Sequence, residues 1–286
     1  MKHYPLFLLT ALFLLAPYTS GEQTRPVVLD TVAVGKAPAA DAKKIWKVFG
    51  GQTIRVSLVV YGDPKERIAI QADLFQTASG SLAAPIKKDI PVASDLDLSH
   101  SVQNTIAFLL QLPKVERTGD FCLRYNFRLA SEEKWQHAGS VNMSIYPDDI
   151  LKPVQTFAEK NRLYLYGEGS HLKSFLKDKN IHFEDMKDSF PKSVIHPCLI
   201  LAEHIDKDWF ALPKELPSNQ AVVVFYPPTD SLPRILIKQA GQGILIEVKM
   251  SLLDELATNP EAHELFEEII DLALDHLTAA TEGGAS

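Results

Sequence analysis

The sequence predicts two domains, an antiparallel β-sandwich followed by an α/β domain whose sheet is open and mostly parallel. Two patterns along the 286 residues predict this fold class. Residues 26–147 alternate apolar and polar side chains with a period of two, which is typical of strands with one buried face. From Arg162 onward, near-continuous apolar runs alternate with helical segments, which is typical of strands buried on both faces.

The chain begins with a segment that has the three parts of a secretory signal. Lys2 supplies a positive charge, residues 6–16 are almost entirely apolar, and residues 19–21 are small. The apolar run is shorter than the ~20 residues that a membrane-spanning helix needs. We therefore predict a signal peptide over 1–21, export to the bacterial periplasm or the medium, and no membrane span after cleavage. An uncleaved N-terminal anchor is the alternative.

Charge and cysteine content narrow the possible partners. The formal net charge is −7 at pH 7, whereas a nucleic-acid-binding surface needs clustered positive charge. We therefore expect no nucleic-acid partner. Cys122 and Cys198 each lie in a predicted strand, one in each domain. We expect both to be buried free thiols, although an exported protein could also pair them.

The first domain is predicted over 26–147 as about seven short strands. Each alternating run buries every second side chain, and Gly or Pro residues separate the runs. The clearest runs are 54–60, 68–74, 106–112, 121–129 and 141–145. Within residues 118–125, a Gly-Asp turn precedes an aromatic residue and alternating apolar residues. This segment resembles the strand entry of immunoglobulin-like and fibronectin-like domains, although Phe121 replaces the usual tyrosine.

The second domain is predicted over 162–278, after a linker over 148–161, and a disordered tail follows over 279–286. Its predicted strands are 163–166, 181–183, 198–202, 221–226, 235–237 and 244–248. Ser251, with Asp254 three residues later, predicts a capping box for a short helix. Asn259 and Pro260 predict the start of a last helix with an apolar stripe.

The end of the second domain has a recognisable order of segments. A glycine-linked strand is followed by Leu-Leu-Asp-Glu-Leu at 252–256, Asn-Pro-Glu-Ala at 259–262 and a closing apolar helix. This order resembles the end of class I glutamine-amidotransferase-like domains, which are flavodoxin-like. Such domains accompany many bacterial carbohydrate-active proteins, and in family 42 β-galactosidases one mediates trimerisation. The resemblance implies a non-catalytic amidotransferase-like domain, preceded by an immunoglobulin-like sandwich, with an interaction role in carbohydrate handling.

The sequence contains no recognisable catalytic or metal motif. Active amidotransferases carry a cysteine at a tight strand-to-helix turn, but Cys198 has Pro197 and Leu199 as neighbours and no flanking glycine. The patterns G-x-S-x-G, H-E-x-x-H and C-x-x-C are also missing. We therefore predict no catalytic residue, no metal site and no cofactor.

A ligand pocket is predicted where the first strand of the second domain turns into a helix. Open sheets bind ligands at the carboxyl ends of their strands, and a helix N-terminus offers amide donors to an anion. The structural alternative is a capped turn in which the glycines supply only backbone freedom. The predicted pocket residues are Gly167, Glu168, Gly169, Ser170, His171, Glu203, His204, Thr229 and Asp230.

Together these features predict an exported, non-catalytic binding or assembly protein in bacterial carbohydrate handling or an envelope complex. Its partner would be another envelope or secreted protein, or a carbohydrate. Two alternatives stay open. A hydrolase would act around Glu168, Ser170 and His171, and a histidine within hydrogen-bond reach of Ser170 or Glu168 would favour it. A periplasmic sensor would bind a small anion in the same crevice.

Overall fold

The computed structural model describes residues 27–33, 45–61, 67–78, 81–98, 103–167, 170–186, 196–203, 215–229 and 234–283. The predicted signal peptide lies outside these ranges, as do Glu168, Gly169, His204 and Asp230 of the predicted pocket. Within the described ranges, no helix is both long and apolar enough to cross a membrane.

The N-terminal half, described over 27–146, consists of strands. They are β1 (Val27–Ala33), β2 (Trp46–Phe49), β3 (Thr53–Tyr61), β4 (Arg67–Ala78), β5 (Ser81–Asp97), β6 (Gln103–Gln111), β7 (Gly119–Leu129) and β8 (Gln136–Tyr146). One sheet has the order β1-β3-β6 and another has the order β2-β8-β7-β4-β5. The alternating runs bury one face of each sheet as their period predicts, and residues from both sheets share one apolar core.

The prediction of an antiparallel, immunoglobulin-like sandwich is wrong because both sheets are mixed. β1 runs parallel to β3, and β2 runs parallel to β8. The remaining neighbours in these sheets are antiparallel. Side chains alternate between the two faces of a strand in either direction of pairing, so the period reports burial but not strand direction.

The C-terminal half, described over 152–283, contains strands and helices. They are α1 (Lys152–Lys160), β9 (Arg162–Tyr166), α2 (Ser170–Asp178), β10 (Glu184–Met186), β11 (Cys198–Glu203), β12 (Gln220–Phe225), β13 (Ile235–Ala240), β14 (Gly243–Val248), α3 (Leu252–Glu255) and α4 (Pro260–Gly283). The sheet has the order β10-β9-β11-β12-β14-β13. β13 is antiparallel to β14, and the other neighbours are parallel.

The prediction of a flavodoxin-like, amidotransferase-like domain is also wrong. The helices α1 to α4 contribute to the apolar cluster on one face of the sheet. In the described part of the chain, the cluster on the other face contains only residues in or next to strands, together with Leu216. The described residues are mostly β, with 54% strand and 21% helix, and they form no flavodoxin-like α/β sandwich. Apolar runs such as 221–225 require cover on both faces, but burial alone does not specify that helices provide the cover.

The helix α4 packs against both the helix α2 and the sheet of the C-terminal half. Its Phe266 side chain is 0% exposed and lies edge-on to Phe175 of α2, with ring centroids 5.4 Å apart. On the strand side it stacks against Phe225 of β12, at 5.8 Å. Asn259 caps the helix by accepting a hydrogen bond from the backbone N–H of Glu261 at 3.1 Å. By contrast, Ser251 makes no side-chain capping bond to α3, so the predicted capping box does not form.

The first turns of α4 also contact the N-terminal half. Phe49 of β2 packs against His263, with ring centroids 5.0 Å apart. His263 is buried, and its Nε2–H donates to the carbonyl oxygen of Leu256 at 2.6 Å. Burial lowers the pKa of His263, which favours the neutral ring at this junction. The two halves therefore meet through packed aromatic rings rather than through solvent alone.

Candidate functional site

Five parallel strands end at the same edge of the C-terminal sheet. The strands β9, β10, β11, β12 and β14 run in one direction, so the residues that end or follow them form one rim. We call this rim the carboxyl edge. Ligands of open sheets bind at such an edge because loops there present backbone and side-chain polar groups. The described residues of the predicted pocket end or follow strands at the carboxyl edge. They are Gly167, Ser170, His171, Glu203 and Thr229.

Two of these predicted residues are in direct contact. His171 Nδ1 lies 2.9 Å from Glu203 Oε1, and the backbone N–H of Leu172 donates to Glu203 Oε2 at 3.1 Å. Gly167 has a φ of 103°, a backbone conformation that favours glycine and lets the chain turn from β9 toward α2. The carboxylate of Glu203 thus holds the N-terminus of α2, where an anion from solution was predicted to bind. Such an anion would have to displace Glu203 from the amide of Leu172.

The contact also sets the charge state of the histidine. The hydrogen bond to Glu203, followed by the negative charge of that carboxylate, raises the pKa of His171. The two side chains differ in environment, since His171 is 60% exposed and Glu203 only 10%. The imidazole therefore stays protonated to higher pH than an isolated histidine, while its Nε2 side remains open to solvent.

We expect the variant Glu203→Gln to lower the pKa of His171 toward its ordinary value. Because the pKa of His171 is raised in the folded state, protonation of this residue stabilises the protein. The stabilisation is complete below about pH 6.5, the usual pKa of histidine in the unfolded state, and it is lost as the pH rises through the pKa in the folded state. Because the ring is exposed, solvent screening limits this pH-dependent part to ~0.5 kcal/mol. Titrating the imidazole by NMR checks the pKa, and urea unfolding at pH 5.5 and 8.5 checks the stability.

The matched control for this prediction is Glu133→Gln, which changes an exposed glutamate in the turn between β7 and β8. It should leave the pKa of His171 unchanged. If Glu203→Gln also leaves that pKa unchanged, the contact described above does not govern the histidine.

A second cavity at this edge lies beside β12, β14 and the start of α4. It has a volume of about 760 Å³, and we call it the β12–β14 cleft. Thr229 of the predicted pocket lines it, together with Ser251. His171 instead lines a groove of about 300 Å³ on the other side of α3. Among the described residues, His171 and Thr229 therefore line two different cavities.

The sheet contributes positive groups to the β12–β14 cleft. Arg234 precedes β13, and its carbonyl oxygen accepts a hydrogen bond from the backbone N–H of Lys249 at 2.7 Å, so the two residues are neighbours. The ammonium group of Lys249 lies 3.2 Å from Glu247, which also pairs with Lys238. Burial alone would raise the pKa of Glu247, but these two ammonium groups outweigh it and lower the pKa. Glu247 therefore stays ionised, and its single negative charge is shared between Lys238 and Lys249.

The guanidinium of Arg234 differs from the ammonium group of Lys249 in its surroundings. Arg234 is exposed, and among the described residues its side chain makes no ion pair or hydrogen bond. A guanidinium presents a planar set of donors that fits a carboxylate or phosphate through two parallel hydrogen bonds. Arg234 is thus available to bind an anionic group inside the cleft.

The helix α4 contributes negative groups to the same cleft. Glu261, Glu264 and Glu268 all line it, because residues three and four apart share one face of a helix. The N-terminal half holds two of them in place, since Lys47 forms an ion pair with Glu261 and Thr118 Oγ1 donates to Glu264 at 2.6 Å. The N-terminal half therefore positions two glutamates of the cleft, whose described lining residues belong to the C-terminal half.

The negative charge along α4 is large enough to affect its neighbours. Burial and then the charges of Asp271, Glu268 and Glu264 raise the pKa of Glu267. Burial and Glu264 likewise raise the pKa of Tyr146 on β8. The α4 side of the cleft therefore favours positive charge, either a proton or a cationic group of a ligand.

Sequence reasoning missed most residues of the β12–β14 cleft. The expectation that ligands bind after the carboxyl ends of parallel strands was applied to β9, β11 and β12. It points equally to residues 249–251, which follow β14. The spacing of Glu261, Glu264 and Glu268 was visible as one helix face. Arg234 carried no local signal, because only the pairing of β13 with β14 brings it beside Lys249.

Cysteine and metal chemistry find no support in the described part of the chain. Cys198 is 0% exposed, and burial raises the pKa of its thiol to about 12, so the reactive thiolate is suppressed. Cys122 is a free, buried cysteine as well. Among the described ranges, no three His, Cys, Asp or Glu side chains are grouped so that they could hold a metal ion.

Comparison with known proteins identifies no family. No family model and no curated protein matches the chain. A family 123 glycoside hydrolase from Clostridium perfringens is similar with a TM-score of 0.26 and 9% identity, over 48% of this chain and 28% of the hydrolase. Auracyanin from Roseiflexus castenholzii gives a TM-score of 0.23 and 13% identity, over 42% of this chain and 97% of auracyanin. A sialyltransferase from Photobacterium damsela gives 0.21 and 9%, over 71% of this chain and 37% of the enzyme. Similarities this weak carry no argument about function.

Proposed function

We propose that this chain is an exported binding protein of the bacterial envelope, and that its ligand occupies the β12–β14 cleft. The observation that carries the proposal is the cleft itself, which lies at the carboxyl edge of the sheet and has two of its glutamates held by residues of the N-terminal half. Its volume of about 760 Å³ falls within the range of small-molecule sites, roughly 300–1,000 Å³.

The lining of the cleft supports binding. Met250, Leu252 and Leu265 provide apolar surface, and Arg234 and Glu268 provide charged groups without a partner among the described residues. Sites of this kind gain affinity from apolar burial and gain orientation from a few polar groups.

A hydrolase acting around Glu168, Ser170 and His171 is a second candidate, favoured by one observation. A carboxylate that orients an imidazole is a recurring part of base-assisted catalysis, and Glu203 holds His171 in this way. Turnover of a model ester that is lost in His171→Ala would favour this candidate over the binding protein.

The cleft can be tested by filling it. We expect the variant Ser251→Trp to abolish ligand binding, because Ser251 is exposed and lines the cleft, so the indole fills space without disturbing the core. The measurement is thermal shift of the full chain against a panel of free amino acids, dipeptides and simple sugars. A ligand at 100 times its Kd stabilises the native state by about 2.7 kcal/mol.

The control variant is Ser174→Trp, which places the same side chain in the groove that contains His171. It should keep the response of the unmodified chain. The proposal is wrong if no compound in the panel raises the Tm, or if Ser174→Trp loses the response while Ser251→Trp keeps it.

A further inference from the structure

We infer that the ligand of the β12–β14 cleft is a small zwitterion, with a carboxylate that binds Arg234 and an ammonium group that binds the glutamates of α4. This is the chemistry of a free amino acid or of a short peptide with free termini. The inference rests on the proposed function, because it names the ligand class of the same cleft.

The distribution of unpaired charge carries this inference. The sheet side offers Arg234, whose guanidinium makes no ion pair among the described residues, and Lys249, which shares the single carboxylate of Glu247 with Lys238. On the α4 side, Glu261 is neutralised by Lys47, but Glu264 receives only a neutral hydroxyl and Glu268 has no partner in the described ranges. Among the described residues, the cleft therefore has a guanidinium without an ion pair on the sheet side, at Arg234, and three carboxylates without an ion pair on the helix side, at Glu255, Glu264 and Glu268.

A ligand with a single charge would fit this arrangement poorly. An anion bound by Arg234 would lie in the same cleft as the carboxylates of Glu264 and Glu268, which would repel it. A simple cation would leave Arg234 desolvated without a partner, and burying an unpaired charge is costly. A ligand with both charges satisfies each side, because carboxylates match guanidinium donors and an ammonium group donates up to three hydrogen bonds.

The spacing of the glutamates and the apolar lining of the cleft narrow the class of ligand further. Glu264 and Glu268 lie four residues apart on α4, which is about 6 Å along a helix, so one ammonium group can lie between their carboxylates. Between the charged sides, Met250, Leu252 and Leu265 offer contact to an apolar side chain. Leucine and the dipeptide Leu-Leu are therefore suitable probes of this chemistry.

The test compares these probes with versions that lack one charge. Isothermal titration of the full chain is carried out with leucine, N-acetyl-leucine and leucinamide, and with Leu-Leu blocked at either end. We expect removal of either charge to weaken binding about tenfold, since a hydrogen bond to a charged group contributes about that factor. Tighter binding of Leu-Leu than of leucine assigns a peptide, and the opposite order assigns an amino acid.

Variants identify which side of the cleft binds the carboxylate of the ligand and which side binds its ammonium group. In Arg234→Gln the penalty for leucinamide, which is its loss of affinity relative to leucine, should disappear. In Glu268→Gln the corresponding penalty for N-acetyl-leucine should shrink severalfold. The matched controls are Arg117→Gln and Glu159→Gln, which change exposed residues outside the cleft and should keep both penalties.

The possible failures are distinguishable from one another. If the blocked probes bind as tightly as the free ones and Ser251→Trp still abolishes binding, the zwitterion is wrong and the cleft remains the site. If a sugar or another uncharged compound binds there instead, the outcome is the same. If nothing binds, and the panel also leaves the Tm unchanged, both the ligand class and the proposed function are wrong.

Discussion

Replacing Phe266 by alanine should lower the free energy of unfolding by about 4 kcal/mol, within the range of 3–5 kcal/mol for large aromatic deletions in a core. Phe266 is 0% exposed and contacts the rings of Phe175 and Phe225. Its removal leaves a cavity between α2, α4 and the sheet, because neighbours fixed in regular elements cannot collapse into the space. Urea unfolding followed by circular dichroism measures the loss.

Two other variants calibrate this result. Phe266→Leu keeps most of the buried apolar volume and should cost clearly less than alanine. Leu272→Ala shortens a side chain on the same helix that is 44% exposed, and should change stability by less than about 1 kcal/mol. A loss for Phe266→Ala no larger than that of Leu272→Ala would contradict the central position of α4 in the core.

Replacing Gly243 by alanine should cost about 3 kcal/mol, a value at the upper end for overpacking. A Cβ atom at this position would lie 2.6 Å from the carbonyl oxygen of Gln220, 2.6 Å from the Cβ atom of Leu216 and 2.7 Å from the carbonyl oxygen of Pro217. Backbone atoms cannot move aside cheaply. The clash also strains the hydrogen bond from the Gly243 N–H to the carbonyl oxygen of Leu216, at 2.9 Å.

The control for this glycine is Gly119→Ala in β7. There the nearest contact of an added Cβ is a side-chain atom of Phe121 at 3.3 Å, which can shift by a few tenths of an ångström. We expect a loss below about 1 kcal/mol for the control. Equal losses for the two variants in urea unfolding would show that the close packing around Gly243 does not limit stability.

The cleft illustrates why a site is harder to predict than the segments that build it. Sequence reasoning identified His171 and Glu203 as neighbours at the carboxyl edge, and they do form a hydrogen bond. It could not see that Glu203 would occupy the amide at the start of α2 itself. Nor could it place Arg234 near α4, because the two are far apart in sequence and meet only through strand pairing and helix packing.

The fold shows the same division. Local periodicity placed most strands and the last helix correctly, since alternation and apolar runs follow from burial on one or both faces. It did not reveal that β1 pairs parallel to β3 or that β2 pairs parallel to β8. The resemblance to amidotransferase-like domains failed for a related reason, because an order of short segments does not determine how the sheet is covered.

The sequence alone determined which side chains are buried, where β12 and α4 run and how Asn259 caps that helix, because these features depend on residues close together in the chain. Only the tertiary structure decided strand direction, the single layer of described helices and the β12–β14 cleft. Those features depend on contacts between distant segments, such as Thr118 with Glu264, and no local pattern of residue types encodes which distant partner each segment selects.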